Sequence, residues 1–353
     1  MTDAEARTPI SATMLAAVLE APGEPLAVRR VPVPTPGPGQ LLVRLQACGV
    51  CHTDLHIWGS GAASGKPLIL GHEGVGEVVE TGAGMSGWRR GDRVGVPWLH
   101  DTCGHCDECR EGAESFCQAQ RAHGCDVDGA FAEYVAVDAL YAVRLPAGAD
   151  PVATAPLMCA GVTAYGAIQR ASLRPGSRCA VFGCGGLGLY AVQLAARAGA
   201  TVVALDVSPA KLERARALGA HHTVIADEAA AARLQQLGGM HACINFAPTD
   251  ATWGAMIGGI RPRGTIVAAA LVEKPVPVSQ AWLTATGVVL TGTSVGTRLE
   301  MKELIRLHAE APLRSMTRSI GLTEINDGLR DLRQGRVDGR LVIDFGLESS
   351  GAR

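Results

Sequence analysis

Short apolar runs at 41–45, 74–79, 93–96 and 131–137 are broken by glycine instead of being joined by helical spacing. This part of the chain predicts a β-rich unit with loop insertions. The stretch before it is different. Residues 31–39 (VPVPTPGPG) hold four prolines in nine positions, which forbids helix and predicts an extended connector. The first 13 residues are expected to form a loose extension. Near Ala155 the pattern changes to alternation. Apolar runs at 179–182, 201–205, 242–246, 265–270 and 288–291 alternate with helical patterns at 187–198 and 209–218. Such strand–helix alternation predicts a doubly wound parallel sheet. Two further helices, 300–310 and 323–333, and a last strand at 340–345 complete the expected order. The predicted division is an extension at 1–13, a β-rich domain at 14–157 and an α/β domain at 158–296. A segment at 297–353 then returns to the first domain.

Composition narrows the function classes. The 353 residues are 47% hydrophobic and 19% charged, the profile of a globular enzyme. A net charge of −2 gives no electrostatic basis for binding nucleic acid or an anionic membrane. Aromatics, at 4%, leave few platforms for stacking bases. No run of about 18 uncharged apolar residues is present, because Gln193 and Arg197 interrupt the longest candidate. Asp3, Glu5 and Arg7 deny the N-terminus the apolar core of a secretory signal. The expectation is a soluble cytoplasmic protein whose eleven cysteines stay reduced.

The run at 179–182 leads into Gly183-Cys184-Gly185-Gly186-Leu187-Gly188 and then into a helix. This is the G-x-G-x-x-G pattern in the setting it needs. The first glycine makes the tight turn, the second admits a pyrophosphate, and the third lets helix and strand pack closely. The next strand ends at Asp206, where an acid accepts from a ribose 2′-hydroxyl. A carboxylate there repels a 2′-phosphate, so NAD(H) is favoured over NADP(H). Lys211 either borders the adenosine or stands on a solvated helix face.

Cys103, Cys106, Cys109 and Cys117 form C-x2-C-x2-C-x7-C. Four closely spaced thiolates suit tetrahedral zinc. An iron–sulfur run shares the short spacings but continues to its fourth cysteine after three residues and then proline. Here the gap is seven and Gln118 follows, so zinc is favoured. His105 could stand in as a ligand, yet four cysteines already close the site and imply a structural role. Cys48 and Cys51 make a C-x-x-C, which also admits a thiol–disulfide reading. Spacing alone does not join Cys51 to His72 or Cys159.

The segments CGVCHTDLH (48–56), GHEGVGEV (71–78), CGHCDEC (103–109) and GCGGLG (183–188), in this order, closely resemble the zinc-dependent medium-chain alcohol dehydrogenases of bacterial and yeast type. The resemblance covers about Met14 to Phe345. It implies a GroES-like β domain, with a structural zinc lobe at 100–118, joined to a Rossmann domain. It also implies two zinc ions and NAD. Cys51, His72 and Cys159 would bind the catalytic zinc, with Glu73 able to approach it transiently. Asp54 would orient His72. Thr53 and His56 would relay the alcohol proton, while His52, Thr163 and Arg340 would contact the cofactor. The expected reaction is reversible oxidation of an alcohol to an aldehyde or ketone, with hydride passing to the nicotinamide. Microbial members of this length imply a homotetramer.

Substrate identity is less determined. Trp98 matches an aromatic lining the alcohol pocket, whereas Trp58 falls too early to match the second tryptophan those enzymes carry. The expected bulky position instead lies among Gly59, Ser60, Gly61, Ala62, Ala63, Ser64 and Gly65, implying a pocket wider than ethanol needs. Ala270, where relatives commonly have glycine, is a second departure. Formaldehyde, polyol and aryl-alcohol dehydrogenases on the same scaffold are alternatives. A zinc-ribbon binding protein is disfavoured by the acidic Asp101, Asp107, Glu108, Glu111 and Glu114 around the lobe.

Overall fold

A computed structural model describes residues 10–61, 65–272 and 274–350. Most of the expected 1–13 extension therefore lies outside the described residues, as do Ala62, Ala63 and Ser64.

The second half of the chain is built on six parallel strands, in the spatial order His222–Ile225, Thr201–Asp206, Arg178–Phe182, Met240–Asn245, Ile260–Ala268 and Val289–Gly292. This 3-2-1-4-5-6 order is the doubly wound Rossmann arrangement, whose ligand crevice lies at the carboxyl ends where the order reverses. Helices cover both faces, so the central strands are apolar on both sides, while the edge strands His222–Ile225 and Val289–Gly292 are partly exposed. Val181, Ala204 and Ile244 pack into one core cluster, while Ala180, Phe182 and Val203 pack into another on the opposite face.

The first half holds a larger sheet. Its strands run Val143–Arg144, Arg93–Val96, Gly74–Thr81, Gln40–Val50, Arg340–Asp344 and Thr317–Ile320, with Tyr134–Asp138 also paired to Gln40–Val50. The strand from the C-terminal segment thus lies inside the sheet, antiparallel to the strand that precedes Cys51. A core cluster runs from Ala47, Val75 and Val342 of this sheet to Val181 and Ile244 of the parallel one.

Several elements differ from expectation. Thr13–Leu19 and Ala27–Pro32 form an antiparallel pair, and the prolines that follow end it instead of forming the whole connector. The apolar run at 131–137 divides between two sheets. Ala132 bridges Ala16, and pairing with Gln40–Val50 begins only at Tyr134. CGVCHTDLH continues into a helix, His52–Ser60, where only loop was expected. Among the described residues, no single helix is long and apolar enough to cross a membrane.

Candidate active site

Cys51 ends the strand Gln40–Val50 and caps the helix His52–Ser60. His72 and Glu73 directly precede the neighbouring strand Gly74–Thr81. Cys159 stands at the break between the turn Ala155–Met158 and the helix Ala160–Arg170. These three places converge. One ligand atom each from Cys51, His72, Glu73 and Cys159 lies within 4.8 Å of all the others, and all four residues are buried.

Asp54 knits the two ligand-bearing loops together. Its Oδ2 accepts from the Cys51 N–H at 2.8 Å, and its Oδ1 accepts from the Gly71 N–H at 3.3 Å. The same Oδ1 stands 3.3 Å from His72 Nδ1. A fully buried carboxylate needs such partners, and this one fixes the ring's orientation as well as the backbone. Both His72 ring nitrogens are buried without a hydrogen bond; Nδ1 faces the Asp54 carboxylate at ion-pair distance, which leaves Nε2 as the nitrogen suited to a metal. The Cys159 thiol hydrogen-bonds Cys51 and draws Cys51 well below the usual thiol range, with His72 adding to the effect. The same bond, with burial, pushes Cys159 up. Two sulfurs and an imidazole in a dry pocket match the donor set of a catalytic zinc with an open position. The thiol–disulfide reading finds no support in this placement. Cys48 is buried on the central strand, opposite Ile343, and all eleven cysteines are free.

Glu73 faces Arg340, and their side chains form a fully buried ion pair through Oε1 and Nη2. Burial pushes the Glu73 carboxyl up to about 7, against the pull of Arg340. A Cβ on Gly49 would collide with Glu73 Oε2, so the glycine of CGVC makes room for the carboxylate. Gly49→Ala is therefore expected to displace Glu73 and cost about 1–3 kcal/mol by overpacking. Urea denaturation checks this, and an unchanged midpoint contradicts it.

Thr53 Oγ1 lies 3.7 Å from Cys51 Sγ. His56 is exposed one helical turn further on, and His52 sits on the same helix in the field of Arg340, His56 and Lys211. The Thr163 hydroxyl donates to the Cys159 carbonyl at 2.7 Å, tying the helix start to the ligand. Trp98 meets the His72 ring edge-on, with centroids 4.9 Å apart. Trp58 turns away from this site. Its Nε1 donates to the Glu24 carbonyl at 2.6 Å, and its ring lies under Arg333.

The glycine loop faces this cluster across Arg340. Gly183 has φ +88°, and a Cβ there would meet the Ala247 backbone. A Cβ on Gly188 would strike the Gly183 carbonyl, while the space above Gly185 is open. This is a cradle of the kind a pyrophosphate enters at the N-terminus of a helix, here Gly186–Arg197. Arg340 packs against Gly186, and its Nε is buried without a partner. Asp206 Oδ2 accepts from the Cys184 N–H at 2.8 Å and Oδ1 from the Ser208 N–H at 2.9 Å, which fixes the carboxylate beside the loop. Lys211 is half-buried on the next helix.

The second cysteine group forms a separate lobe. Cys103 Sγ lies 3.9 Å from Cys109 Sγ and 3.6 Å from Cys117 Sγ. Zinc–sulfur bonds of about 2.3 Å in a tetrahedron place sulfurs roughly 3.8 Å apart, so the lobe fits the metal. The His105 and Cys106 N–H groups draw the Cys103 thiol down to about 6. His105 stays outside the cluster, exposed, with Nδ1 2.8 Å from the Cys103 carbonyl oxygen.

A Rossmann sheet with a buried Cys2His cluster facing its glycine loop defines a metal-dependent, dinucleotide-linked dehydrogenase. Residues 37–147 match the alcohol dehydrogenase GroES-like domain, and residues 186–310 match the zinc-binding dehydrogenase family. An alcohol dehydrogenase of Geobacillus stearothermophilus is 40% identical, covering 94% of this chain and 99% of its own length. One from Moraxella sp. (strain TAE123) is 39% identical over the same shares. The crystal structure of an alcohol dehydrogenase from Aeropyrum pernix superposes with a TM-score of 0.84 at 34% identity, covering 94% of this chain and 99% of that one. The acetophenone reductase of Geotrichum candidum, solved with NAD, superposes with a TM-score of 0.86 at 26% identity, covering 95% and 98%. The chain belongs to the zinc-dependent medium-chain alcohol dehydrogenase family.

Sequence reasoning had no access to the role of Gly49 or to the linking of two loops by Asp54. Both rest on contacts between segments distant in sequence.

Proposed function

We propose that this chain oxidises an alcohol larger than ethanol to its aldehyde or ketone with NAD+ as acceptor, and runs the reverse reduction. The observation that carries the reading is the buried Cys51–His72–Cys159 set placed across Arg340 from the glycine loop. Zinc held by these three residues would supply Lewis acidity to the substrate oxygen, and nicotinamide would accept the hydride. The protein's own groups do the rest. Asp54 holds two ligand loops in place, and Thr53 beside Cys51 takes up the alcohol proton. The exposed His56 returns that proton to water. Arg340 and the Gly186–Arg197 helix start hold the pyrophosphate. His52, Thr163, Asp206 and Lys211 complete the cofactor contacts. The four lobe cysteines hold a second, structural zinc.

The indole of Trp58 is committed elsewhere, which favours a roomy pocket beside Trp98. Formaldehyde, polyol or aryl-alcohol oxidation remains the alternative on this scaffold. Metal analysis joined to NAD+ reduction over primary, secondary and aryl alcohols and polyols tests the reading. About two zinc per chain with larger alcohols preferred supports it, and activity surviving complete zinc removal overturns it. Residues 14–157 and 158–296 are assigned as catalytic and cofactor domains, with 297–353 completing the first. Eleven free thiols suit a reducing, cytoplasmic setting. A homotetramer belongs to the same reading, and light scattering should then return four times the 36.6 kDa chain mass.

Asp206→Gly is expected to lower the NAD+/NADP+ preference at least tenfold, because like charges at one site cost several kcal/mol. The ratio of kcat/KM values measures it. An unchanged ratio shows that Asp206 does not exclude the 2′-phosphate.

A further inference from the structure

The lobe that holds Cys103–Cys117 touches more than its own thiols. Glu114, in the turn just ahead of Cys117, is 2% exposed although it carries a carboxylate. Its Oε1 accepts from the Arg298 backbone N–H at 2.8 Å and from Arg298 Nε at 3.0 Å. Arg298 is the first residue of the helix Arg298–Glu310, whose N-cap Thr297 and Glu300 close a capping box. A carboxylate at this end of a helix is favoured by the aligned peptide dipoles. The Arg298 guanidinium also lies 4.8 Å over the Tyr141 ring. The Tyr141 hydroxyl is 2.6 Å from Thr102 Oγ1, and Cys109 Sγ lies 3.2 Å from that same oxygen. Both anchors of Arg298 therefore trace back to the lobe.

The segment held this way borders the cleft. It follows the edge strand Val289–Gly292 at the carboxyl end of the parallel sheet. Val295 within it has φ +48°, a conformation that a β-branched residue keeps only when its surroundings impose it. Val295, Arg298 and Trp98 line one cavity of about 580 Å³, and Trp98 is the ring that abuts His72.

We propose that Glu114 is a positioning residue that pins the 295–298 turn to the metal lobe, so that the lobe shapes the cofactor-side wall of the catalytic cleft. This rests on the alcohol dehydrogenase reading, which places nicotinamide at the carboxyl ends of the strands. The Glu114 carboxylate is buried although the Arg298 side chain is 45% exposed, and its loss leaves the Arg298 backbone N–H and guanidinium without this anchor.

The test compares Glu114→Ala and Glu114→Gln with the parent holoenzyme. Metal content, amide exchange at 293–300, NADH affinity by fluorescence, and kcat and KM for one alcohol are measured. Glu114→Ala should keep about two zinc per chain while exchange at 293–300 and the NADH Kd each rise about tenfold. Glu114→Gln keeps an oxygen that accepts from the Arg298 N–H and should recover most of both. Exchange and Kd within twofold of the parent in zinc-replete Glu114→Ala overturn the proposal, whatever happens to its Tm. Should that variant not fold, Arg298→Pro, which removes both donors at a first helical position that tolerates proline, is read by the same two measurements and the same limits. Exchange needs neither alcohol nor cofactor, so an inactive parent would sink the functional reading while leaving the Glu114 result readable.

Discussion

Cys51→Ser is expected to lower alcohol oxidation at least ~10³-fold and to reduce bound zinc from about two to about one per chain. Cys51 is one of only three neutral-to-anionic donors in a pocket whose fourth member, Glu73, is held by Arg340. A serine hydroxyl keeps its proton near neutral pH and is a poor ligand for zinc. The Lewis acidity lost with the metal is worth several kcal/mol of barrier, and each 1.36 kcal/mol is tenfold in rate. Asp54 and the strand before Cys51 stay in place, so the Tm should move by only a few degrees. Steady-state kinetics and metal analysis on the same sample decide it. Parent-like turnover at reduced zinc would remove Cys51 from the chemistry.

Cys109→Ser should act in the opposite manner, with a large loss of stability. The lobe has little core of its own. Its short helix Asp107–Arg110 buries no residue, and Cys103, Cys106 and Cys109 are only half-buried. On the proposed reading metal ligation holds it, as in small zinc domains where metal binding supplies the folding free energy. Loss of even several kcal/mol lowers the Tm of a chain this size by roughly 10 °C. Calorimetry should show that fall, together with zinc dropping to about one per chain and new protease cuts within 100–118. A Tm matching that of Cys51→Ser would mean the lobe folds without its metal.

The parts that could be read from the chain are those whose physics is local. Strands buried on both faces appear as unbroken apolar runs, as at Arg178–Phe182 and Thr201–Asp206, and their glycine-loop connection has its own spacing. The four lobe cysteines carry their ligand spacing in sequence. The catalytic cluster does not, because Cys51, His72 and Cys159 are brought together by sheet register and a helix break. Family resemblance joined them where spacing could not. The helix His52–Ser60 was missed because HTDLHIWGS has no clear apolar stripe. The strand pair at Thr13–Leu19 was missed because TMLAAVL lacks the alternation of a half-buried strand. Glu114 looked like one more acid on a charged surface, and only its burial against Arg298 sets it apart.

The strand Arg340–Asp344 has a consequence for how the enzyme is made. It inserts beside Gln40–Val50 and brings Arg340 to Glu73, so this sheet is completed by a strand made some 290 residues after the one it pairs with. Chains usually acquire structure from the N-terminus as they emerge from the ribosome. Here the first domain must wait, with an open sheet edge at Leu341's partner Val50, until the entire cofactor domain has left the tunnel. Pairing across so much intervening chain is slow to form. A nascent chain halted before Arg340 would hold Cys51, His72 and Cys159 yet lack the arginine that faces Glu73. The Glu73–Arg340 pair is thereby deferred until the strand Arg340–Asp344 has emerged.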